Sequence, residues 1–370
     1  MKPFLQALSE TPLLFDGAMG SLLYERGVFL TRSYDELNLS QPEIIVQAHR
    51  DYVDAGADII ETNTFGANAI ALAKHGHSDK TVAINQAGVR LAKKAIGESE
   101  VYVAGSVGPT GIAYDHAPDR EQALARSALA DQIALLVAAG VDLLTLETFY
   151  YVREIEAAIA LAKVHRVPIV AQVVFGPDGK TKGGLSPGDV ARRLVDAGAD
   201  AVGANCGAGP PELFHVGKEM AEAVKGVPVS VQPNAGLPST VEGRTISIAN
   251  PEHFGVFARR LLQAGVRLVG GCCGTTPEHT RRMLGAVRMI GARPLPTRVM
   301  GGAPAAEGKK VAGRAPVPLG EKSPFAKKLA AGTFVISCEL SAPTGTDTSG
   351  FAASARAAQG RSSSAATAQA

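Results

Sequence analysis

Three cysteines in glycine-rich surroundings are the residues of this sequence with the most specific chemistry. Cys206 lies in GANCG, and Cys272 and Cys273 are adjacent in GGCCGTTPEH. Thiolates are soft ligands that suit zinc, and a zinc ion with three protein ligands keeps a fourth coordination position free for a reactant. The three cysteines therefore predict a metal site that does chemistry rather than a closed structural one.

The adjacent pair of cysteines sets a geometric condition. In a regular strand neighbouring side chains point to opposite faces, so Cys272 and Cys273 reach one metal only where the strand ends and the backbone turns. Gly270, Gly271 and Gly274 give the backbone freedom for such a turn. Two alternatives stay open on the residues alone: the cysteines are small buried hydrophobic residues, or the neighbours form a strained disulfide.

Composition bounds the class of protein. The chain has 370 residues, 46% of them hydrophobic, which suffices for one large α/β domain with extra material or for two domains. Its 37 basic and 35 acidic residues nearly balance, without the basic face that nucleic-acid binding requires. No apolar run reaches the length of a membrane span. The N-terminus lacks an apolar signal core, so we expect a cytoplasmic protein whose cysteines are ligands or free thiols.

Apolar, strand-like runs alternate with amphipathic helical stretches from residue 13 to about residue 291. Near-continuous Val, Ile and Leu runs are typical of parallel strands covered on both faces. Eight such strands over this length favour an α/β fold of the (β/α)8 TIM barrel type. The runs cover residues 13–17, 58–65, 101–109, 142–149, 168–175, 201–206, 228–234 and 267–274. An open doubly wound sheet is the alternative, but no GxGxxG follows the first strand.

An internal repetition supports the count of eight strands. Four segments share the pattern of a helix end, Ala-Gly and then a strand, and they precede the second, fourth, sixth and eighth strands. Their glycines stand where the residue after a helix takes a positive φ angle. These glycines are Gly56, Gly140, Gly198 and Gly265.

Polar residues cluster at the predicted strand ends. In a (β/α)8 barrel the active site lies at the C-terminal ends of the strands. Strands six and eight are separated only by strand seven, so we expect the three cysteines to converge on one rim, which strengthens the metal prediction. The polar residues near these ends are Asp16 on strand one, Glu61 and Asn63 on two, Glu147 on four, Cys206 on six, Asn234 on seven, and Cys272 and Cys273 on eight.

Each of the other polar residues has a plainer interpretation. Asp16 is followed by glycine, and Asp-Gly favours turns. Glu147 ends an apolar run and is costly to bury unless paired, and we favour a contact with a substrate amine over a structural ion pair. Asn63 and Asn234 are candidates for ligand contacts or for capping strand ends. Cys338 lies outside the eight strands and is expected to be a buried strand residue.

The segments DGAMGSLLYERG, ETNTFGAN, LETF, GANCG and GGCCGTTPEH resemble the homocysteine S-methyltransferases, over roughly residues 10–291. The resemblance implies a zinc barrel in which Cys206, Cys272 and Cys273 hold Zn2+. It also implies which residues contact homocysteine: Asp16 and the backbone N–H groups of Ala18 and Met19 at its amino-acid end, Glu147 at its ammonium group, and Asn234, which would occupy the open zinc position when substrate is absent.

The sequence changes character from about residue 292. Residues 292–322 are rich in Pro, Gly, Ala and charge and are predicted to be a linker. Residues 323–347 resemble the opening of methylenetetrahydrofolate reductases, with Glu339 at the position of that family's catalytic acid. The arrangement resembles bacterial fusions of the two enzymes, here truncated, and implies that reductase activity is absent. Residues 348–370 are of low complexity and are predicted to be disordered.

The expected reaction is transfer of a methyl group to the thiolate of L-homocysteine, giving methionine. A free thiol is mostly protonated at neutral pH, whereas zinc lowers its pKa and leaves an electron-rich sulfur that attacks an electrophilic methyl group. The expected partners are homocysteine and a small-molecule or corrinoid methyl donor, with no nucleic acid and no membrane. Two alternatives stay open: an inactive zinc-binding fragment of a fusion protein, and a zinc hydrolase, although the usual His and carboxylate ligands are missing.

Overall fold

The computed structural model of the protein describes residues 1–28, 33–236, 239–241, 244–246, 250–291 and 331. Contacts along the chain divide it into two compact units, Met1–Pro296 and Thr297–Ala370. The predicted linker, the reductase-like segment apart from residue 331, and the low-complexity tail fall outside the described residues, as do Cys338 and Glu339, and these calls stay predictions. Within the described part of the chain, no helix has the length and apolar character needed to cross a membrane.

Eight parallel strands form one sheet that curves into a nearly closed barrel, which confirms the predicted fold. Each strand lies within its predicted run, and hydrogen-bonded neighbours follow the order β1-β10-β7-β6-β5-β4-β3-β2. A parallel bridge between Phe15 and Ile59 joins the two ends of this order. The barrel strands are β1 (Leu13–Leu14), β2 (Ile59–Glu61), β3 (Tyr102–Val107), β4 (Leu143–Phe149), β5 (Ile169–Val173), β6 (Ala201–Asn205), β7 (Val229–Gln232) and β10 (Leu268–Val269).

A short antiparallel hairpin of β8 (Ser239–Val241) and β9 (Arg244–Ile246) follows β7.

Twelve α-helices lie in the described part of the chain, and eight of them alternate with the barrel strands. The helices are α1 (Phe4–Glu10), α2 (Met19–Glu25), α3 (Leu37–Ser40), α4 (Pro42–Ala55), α5 (Ala69–Ala73), α6 (Thr81–Ile96), α7 (Asp119–Ala138), α8 (Val152–Lys163), α9 (Pro187–Ala197), α10 (Pro210–Ala223), α11 (Pro251–Gln263) and α12 (Pro277–Gly291).

Two apolar layers hold the barrel together. The larger one packs helices against the outside of the sheet, and it includes Ile133 and Ile155 from helices and Leu144 from β4. The smaller one fills the barrel interior, where Phe4 and Leu8 of α1 pack with apolar residues of the strands. A fully buried Leu, Ile or Phe contributes roughly 1.5–3 kcal/mol, so these layers supply the main stabilisation of the barrel.

A buried ion pair ties the last helix to the first strands. Arg288 of α12 donates hydrogen bonds of 3.0 and 2.8 Å to the two carboxylate oxygens of Asp58, and the side chains are 9% and 8% exposed. The same carboxylate accepts the backbone N–H of Leu14 at 3.0 Å. Asp58 therefore joins β1, the start of β2 and α12, which are the elements where the barrel closes.

Candidate functional site

The three cysteines converge at the C-terminal rim of the barrel. Cys206 directly follows β6, and Cys272 and Cys273 follow β10 by two glycines. The three sulfur atoms lie within 4.8 Å of one another, and the Sγ atoms of Cys206 and Cys273 are 3.9 Å apart. None of the three forms a disulfide, so the strained pairing of neighbours does not occur.

The backbone after β10 turns as the adjacent cysteines require. The Thr275 hydroxyl and backbone N–H both donate to the Cys272 carbonyl, at 2.7 and 3.1 Å, and this closes a tight turn. Only Gly274 in the run has a positive φ angle, of 78°. Gly270 and Gly271 serve close packing instead, because a Cβ atom would lie 2.6 Å from Phe15 and 2.5 Å from Thr275.

Electrostatics within the cysteine group favour a bound cation. Hydrogen bonds from the Cys272 and Cys273 thiols lower the pKa of Cys206, and the pairing with Cys206 raises the pKa of both donors. In this arrangement one thiolate is held by two thiols. A divalent ion is what would allow all three sulfurs to ionise together.

The group fits a soft metal ion in donor type and in spacing. Tetrahedral zinc with sulfur at about 2.3 Å separates its sulfur ligands by about 3.8 Å, close to the spacing of Cys206 and Cys273. In the part of the chain that the structure describes, no histidine or carboxylate completes this group. Asn234 lies beside this group, because a hydrogen bond from its side chain helps lower the pKa of Cys206, and its buried Oδ1 has no partner among the described residues.

A group of buried carboxyls lies beside the cysteines. The Asp16 carboxylate accepts the Glu61 backbone N–H at 3.0 Å through Oδ2, while Asp16 Oδ1 and Glu61 Oε1 are buried without a partner among the described residues. Glu61 Oε2 accepts a hydrogen bond of 3.4 Å from Gln232. Glu147 accepts from the Ser106 hydroxyl at 2.5 Å.

Burial and nearby negative charge raise the pKa values of these carboxyls. Burial raises the pKa of Glu147 to about 7, and the nearby Cys206 thiolate adds to the shift. Burial and then the Glu147 charge raise the pKa values of Asp16 and Glu61 well above their usual range. Buried carboxyls with raised pKa values and oxygens that lack a partner among the described residues have the chemistry to accept a cation.

Hydrogen bonds within the protein already use some of the donors that the DGAMG turn and Asn63 were expected to offer to a ligand. The Ala18 N–H donates to the Thr275 hydroxyl at 3.0 Å, whereas Met19 is the first residue of α2, where a backbone N–H has no acceptor within the helix. The Asn63 amide donates to the Tyr34 carbonyl at 2.7 Å and to Asn38 Oδ1 at 3.0 Å. Asn63 thus holds Tyr34 and Asn38, before and within α3, and both of its side-chain hydrogen bonds go to them.

Asn205 is a residue of the site that sequence reasoning missed. It is the last residue of β6 and is 1% exposed. Its Nδ2 atom lies 3.2 Å from Glu147 Oε2 and 3.8 Å from Cys272 Sγ. The one sequence signal is its place directly before Cys206, at the end of an apolar strand where an amide is costly to bury without partners.

Comparison with known proteins agrees with this geometry. The family model described as homocysteine S-methyltransferase matches residues 13–287. The methionine synthase of Mycobacterium tuberculosis (strain ATCC 25618 / H37Rv) is 31% identical over 304 residues, which are 77% of this chain and 25% of that protein. That of Mycobacterium leprae (strain TN) is 31% identical over 301 residues, with 76% and 25% covered. The chain therefore spans about a quarter of the length of these relatives.

Solved structures show the same barrel. The metallated form of the homocysteine methyltransferase MmuM from Escherichia coli is 26% identical, with a TM-score of 0.65, and the match covers 79% of this chain and 100% of that one. A methyltransferase from Methanosarcina mazei, 12% identical with a TM-score of 0.53, shares the fold, over 78% of this chain and 97% of that one. Since the family model matches most of the chain, the protein belongs to the homocysteine S-methyltransferase family, a family of methyltransferase enzymes.

Proposed function

We propose that this protein transfers a methyl group to the sulfur of L-homocysteine, giving methionine, at a zinc site held by Cys206, Cys272 and Cys273. The observation that carries the proposal is the juxtaposition of three thiols with a group of buried carboxyls at one rim of the barrel. Homocysteine carries a thiol and an ammonium group on one short chain. A site with soft ligands at one end and carboxylates at the other matches both.

The cysteines would hold zinc, and Asn234 would stay near it through its unused Oδ1. Zinc bound there would lower the pKa of the substrate thiol and hold it as a thiolate. The three cysteines would leave one position for a further ligand, which the substrate sulfur would fill when bound and which Asn234 would cover in its absence.

Glu147 and Asp16 would hold the substrate ammonium group. Burial raises the pKa values of both groups, the Glu147 charge adds to the shift of Asp16, and a bound ammonium group would favour the charged form of both carboxyls. Glu61 Oε1 offers a further acceptor at the same place. The Met19 N–H at the start of α2 would contact the substrate carboxylate, and Asn63 and Ala18 would shape the neighbouring loop through their own hydrogen bonds.

Methyl transfer at this site needs orientation rather than a general base. A lone pair of the substrate sulfur forms the new bond to the methyl carbon, and the bond between that carbon and the donor breaks with its electron pair leaving on the donor. Fixing the ammonium and the sulfur together holds the sulfur in one direction. Hydrolysis is less well supported, because hydrolytic zinc sites use histidine and carboxylate ligands.

The test is metal analysis followed by assays with homocysteine and a panel of methyl donors: S-methylmethionine, S-adenosylmethionine, betaine, methyltetrahydrofolate and methylcobalamin. We expect about one zinc per chain and methionine formation with one donor. Cys273→Ala should lose zinc and activity. Cys338→Ser is the matched control, because Cys338 is the fourth cysteine of the chain and is not one of the three proposed ligands. Full zinc content in Cys273→Ala would overturn the three-thiolate site.

A further inference from the structure

Asn205 lies between the two ends of the proposed substrate site. Its Oδ1 accepts the Thr148 backbone N–H at 2.7 Å, and its Nδ2 lies 2.7 Å from the Thr148 hydroxyl. The same Nδ2 reaches Glu147 Oε2 at 3.2 Å and Cys272 Sγ at 3.8 Å. One buried amide therefore touches the carboxylate end, the cysteine end and the backbone that joins them.

The amide has fewer hydrogens than acceptors. An Asn side chain donates two hydrogen bonds, whereas three acceptors surround Nδ2: the Thr148 hydroxyl, Glu147 and Cys272. The Thr148 hydroxyl lies 3.5 Å from Glu147 Oε2, so it is oriented toward the same carboxylate. The hydrogen bonds of the carboxylate and of the sulfur are consequently not independent.

Thr148, the residue to which Asn205 is hydrogen-bonded, has an unusual backbone conformation. Thr148 has a φ angle of 61°, which is costly for a β-branched residue and persists only where the surroundings hold it. The pairing of β4 with β5 shifts register between Leu146 and Phe149, the stretch that contains Glu147. The Thr148 N–H donates to Asn205 Oδ1 and Asn205 Nδ2 donates to the Thr148 hydroxyl, so both polar groups of the Asn205 side chain hold this irregular part of β4.

We propose that Asn205 is a positioning residue that couples the ammonium-binding carboxylate Glu147 to the metal-ligand sulfur of Cys272. It does so by holding Thr148 in its strained conformation and by sharing its amide hydrogens between carboxylate and sulfur. A hydrogen bond from N–H to a ligating thiolate withdraws charge from the sulfur, and a held carboxylate keeps its direction. This inference rests on the proposed function, because it assigns Asn205 to the same site.

The first test is homocysteine binding by calorimetry to zinc-loaded protein without a methyl donor. We expect Asn205→Ala to keep its zinc and to bind homocysteine at least tenfold more weakly, while the KM for the methyl donor changes much less. Asn85→Ala is the matched control, since Asn85 is also a buried asparagine and donates to the Ala67 and Thr81 carbonyls. It should lose stability without a selective change in homocysteine binding.

A second variant keeps the inference testable if Asn205→Ala fails to fold. Asn205→Asp retains the acceptor for the Thr148 N–H but has no hydrogens for Glu147 and Cys272. We expect it to fold, to bind homocysteine weakly and, with Co2+ in place of zinc, to shift the sulfur-to-metal absorption bands relative to wild type. Unshifted bands together with normal homocysteine binding would overturn the coupling.

The strain component has its own test by a double-mutant cycle on thermal unfolding. Glycine takes the φ angle of Thr148 without strain, so Asn205→Ala should lower the melting temperature less in a Thr148→Gly background than in wild type. Equal losses in both backgrounds would contradict the holding role. A wild-type protein that binds zinc but no homocysteine would overturn the proposed function and this inference with it. Normal homocysteine binding by both Asn205 variants would overturn this inference alone.

Discussion

At the scale of single residues, Glu147 best illustrates how burial prepares the site. Its carboxyl is held by the Ser106 hydroxyl and the Asn205 amide, and burial raises its pKa to about 7. A carboxyl with a pKa near neutral gains a strong partner when an ammonium group arrives, because the cation favours its charged form. The role in substrate binding that we propose for Glu147 therefore depends on its charge rather than on its shape.

Glu147→Gln should weaken homocysteine binding by about 1.5–3 kcal/mol and leave zinc in place, because it removes a charge-assisted hydrogen bond without changing the size of the side chain. Calorimetry on the zinc-loaded variant measures this. Glu154→Gln is the control, since Glu154 is a buried glutamate that accepts hydrogen bonds from the backbone N–H and hydroxyl of Thr110. Unchanged homocysteine affinity in Glu147→Gln would mean that Glu147 does not bind the substrate and has a structural role only.

The raised pKa of Glu147 also predicts a pH dependence of stability. Its folded pKa of about 7 lies above the ordinary value of 4.5, so its stabilising contribution is complete below about 4.5 and is lost as pH rises through about 7. The free energy of unfolding of metal-free wild type, minus that of Glu147→Gln, should therefore fall between pH 5 and pH 8. This difference removes the opposite contribution of Cys206, whose pKa is lowered.

Urea unfolding at several pH values, with a chelator present, measures that difference. The pKa values of Asp16 and Glu61 are raised as well, and both groups are present in both proteins. A difference that stays constant or grows with pH would show that Glu147 is already ionised in the folded protein at low pH.

The sequence identifies some residues of the site better than others. Cys206, Cys272 and Cys273 stand out because thiols in glycine-rich turns are chemically specific. Asn205 is not visible in the same way, because its partners come from β4 and from the turn after β10. Only the folded chain shows that one amide reaches both.

At the scale of elements, a buried ion pair between Arg288 and Asp58 ties the last helix to the strands where the barrel closes. Arg288→Met should lower the free energy of unfolding by roughly 3–5 kcal/mol, because it removes the positive charge beside the buried carboxylate of Asp58. Chemical denaturation measures the loss.

The same helix offers a matched control. Arg281 pairs with Glu278 on the exposed side of α12, where the side chains are 45% and 41% exposed. Arg281→Met should cost about 0–1 kcal/mol, as exposed ion pairs do. Equal losses for the two arginine variants would mean that the Asp58 pair does not hold the barrel closed.

Local sequence predicts the strands and the C-terminal ends of the helices. It predicts the residue at which a helix begins less well. The four glycines of the internal repeat have positive φ angles between 84° and 107°, as predicted. Ser186 caps α9 through the Asp189 N–H. In contrast, Ser40 and Glu43 suggest a capping box, yet α4 starts at Pro42 with Gln41 before it, and the Ser40 hydroxyl donates to Glu36 instead. The Glu36 carboxylate, four residues earlier in the chain, accepts the Ser40 hydroxyl in place of the predicted cap.

At the scale of the whole molecule, parallel strands and their connections bring distant segments to one rim. Asp16, Glu147, Cys206 and Cys272 lie in four separate parts of the sequence, and the alternation of strands and helices alone predicts that they meet. The distances among them depend on turns, bulges and buried amides, which the pattern of apolar residues does not encode.

The barrel should be a complete unit without the residues that follow it. All proposed ligands precede Thr275, and α12 ends at Gly291. A chain that ends at Gly291 should keep its zinc content, its melting temperature and methionine formation. Metal analysis, thermal unfolding and the donor panel on both lengths measure this. Loss of zinc or markedly earlier unfolding of the shorter chain would mean that the later residues support the barrel.

X-ray absorption of the zinc-loaded protein with and without homocysteine tests the proposed site most directly. We predict three sulfur ligands per zinc in the free protein and four with homocysteine bound, and we expect Glu147→Gln to require more homocysteine to reach the change. A sulfur count that homocysteine does not alter would contradict the central claim that the cysteine group holds the metal to which the substrate thiol binds.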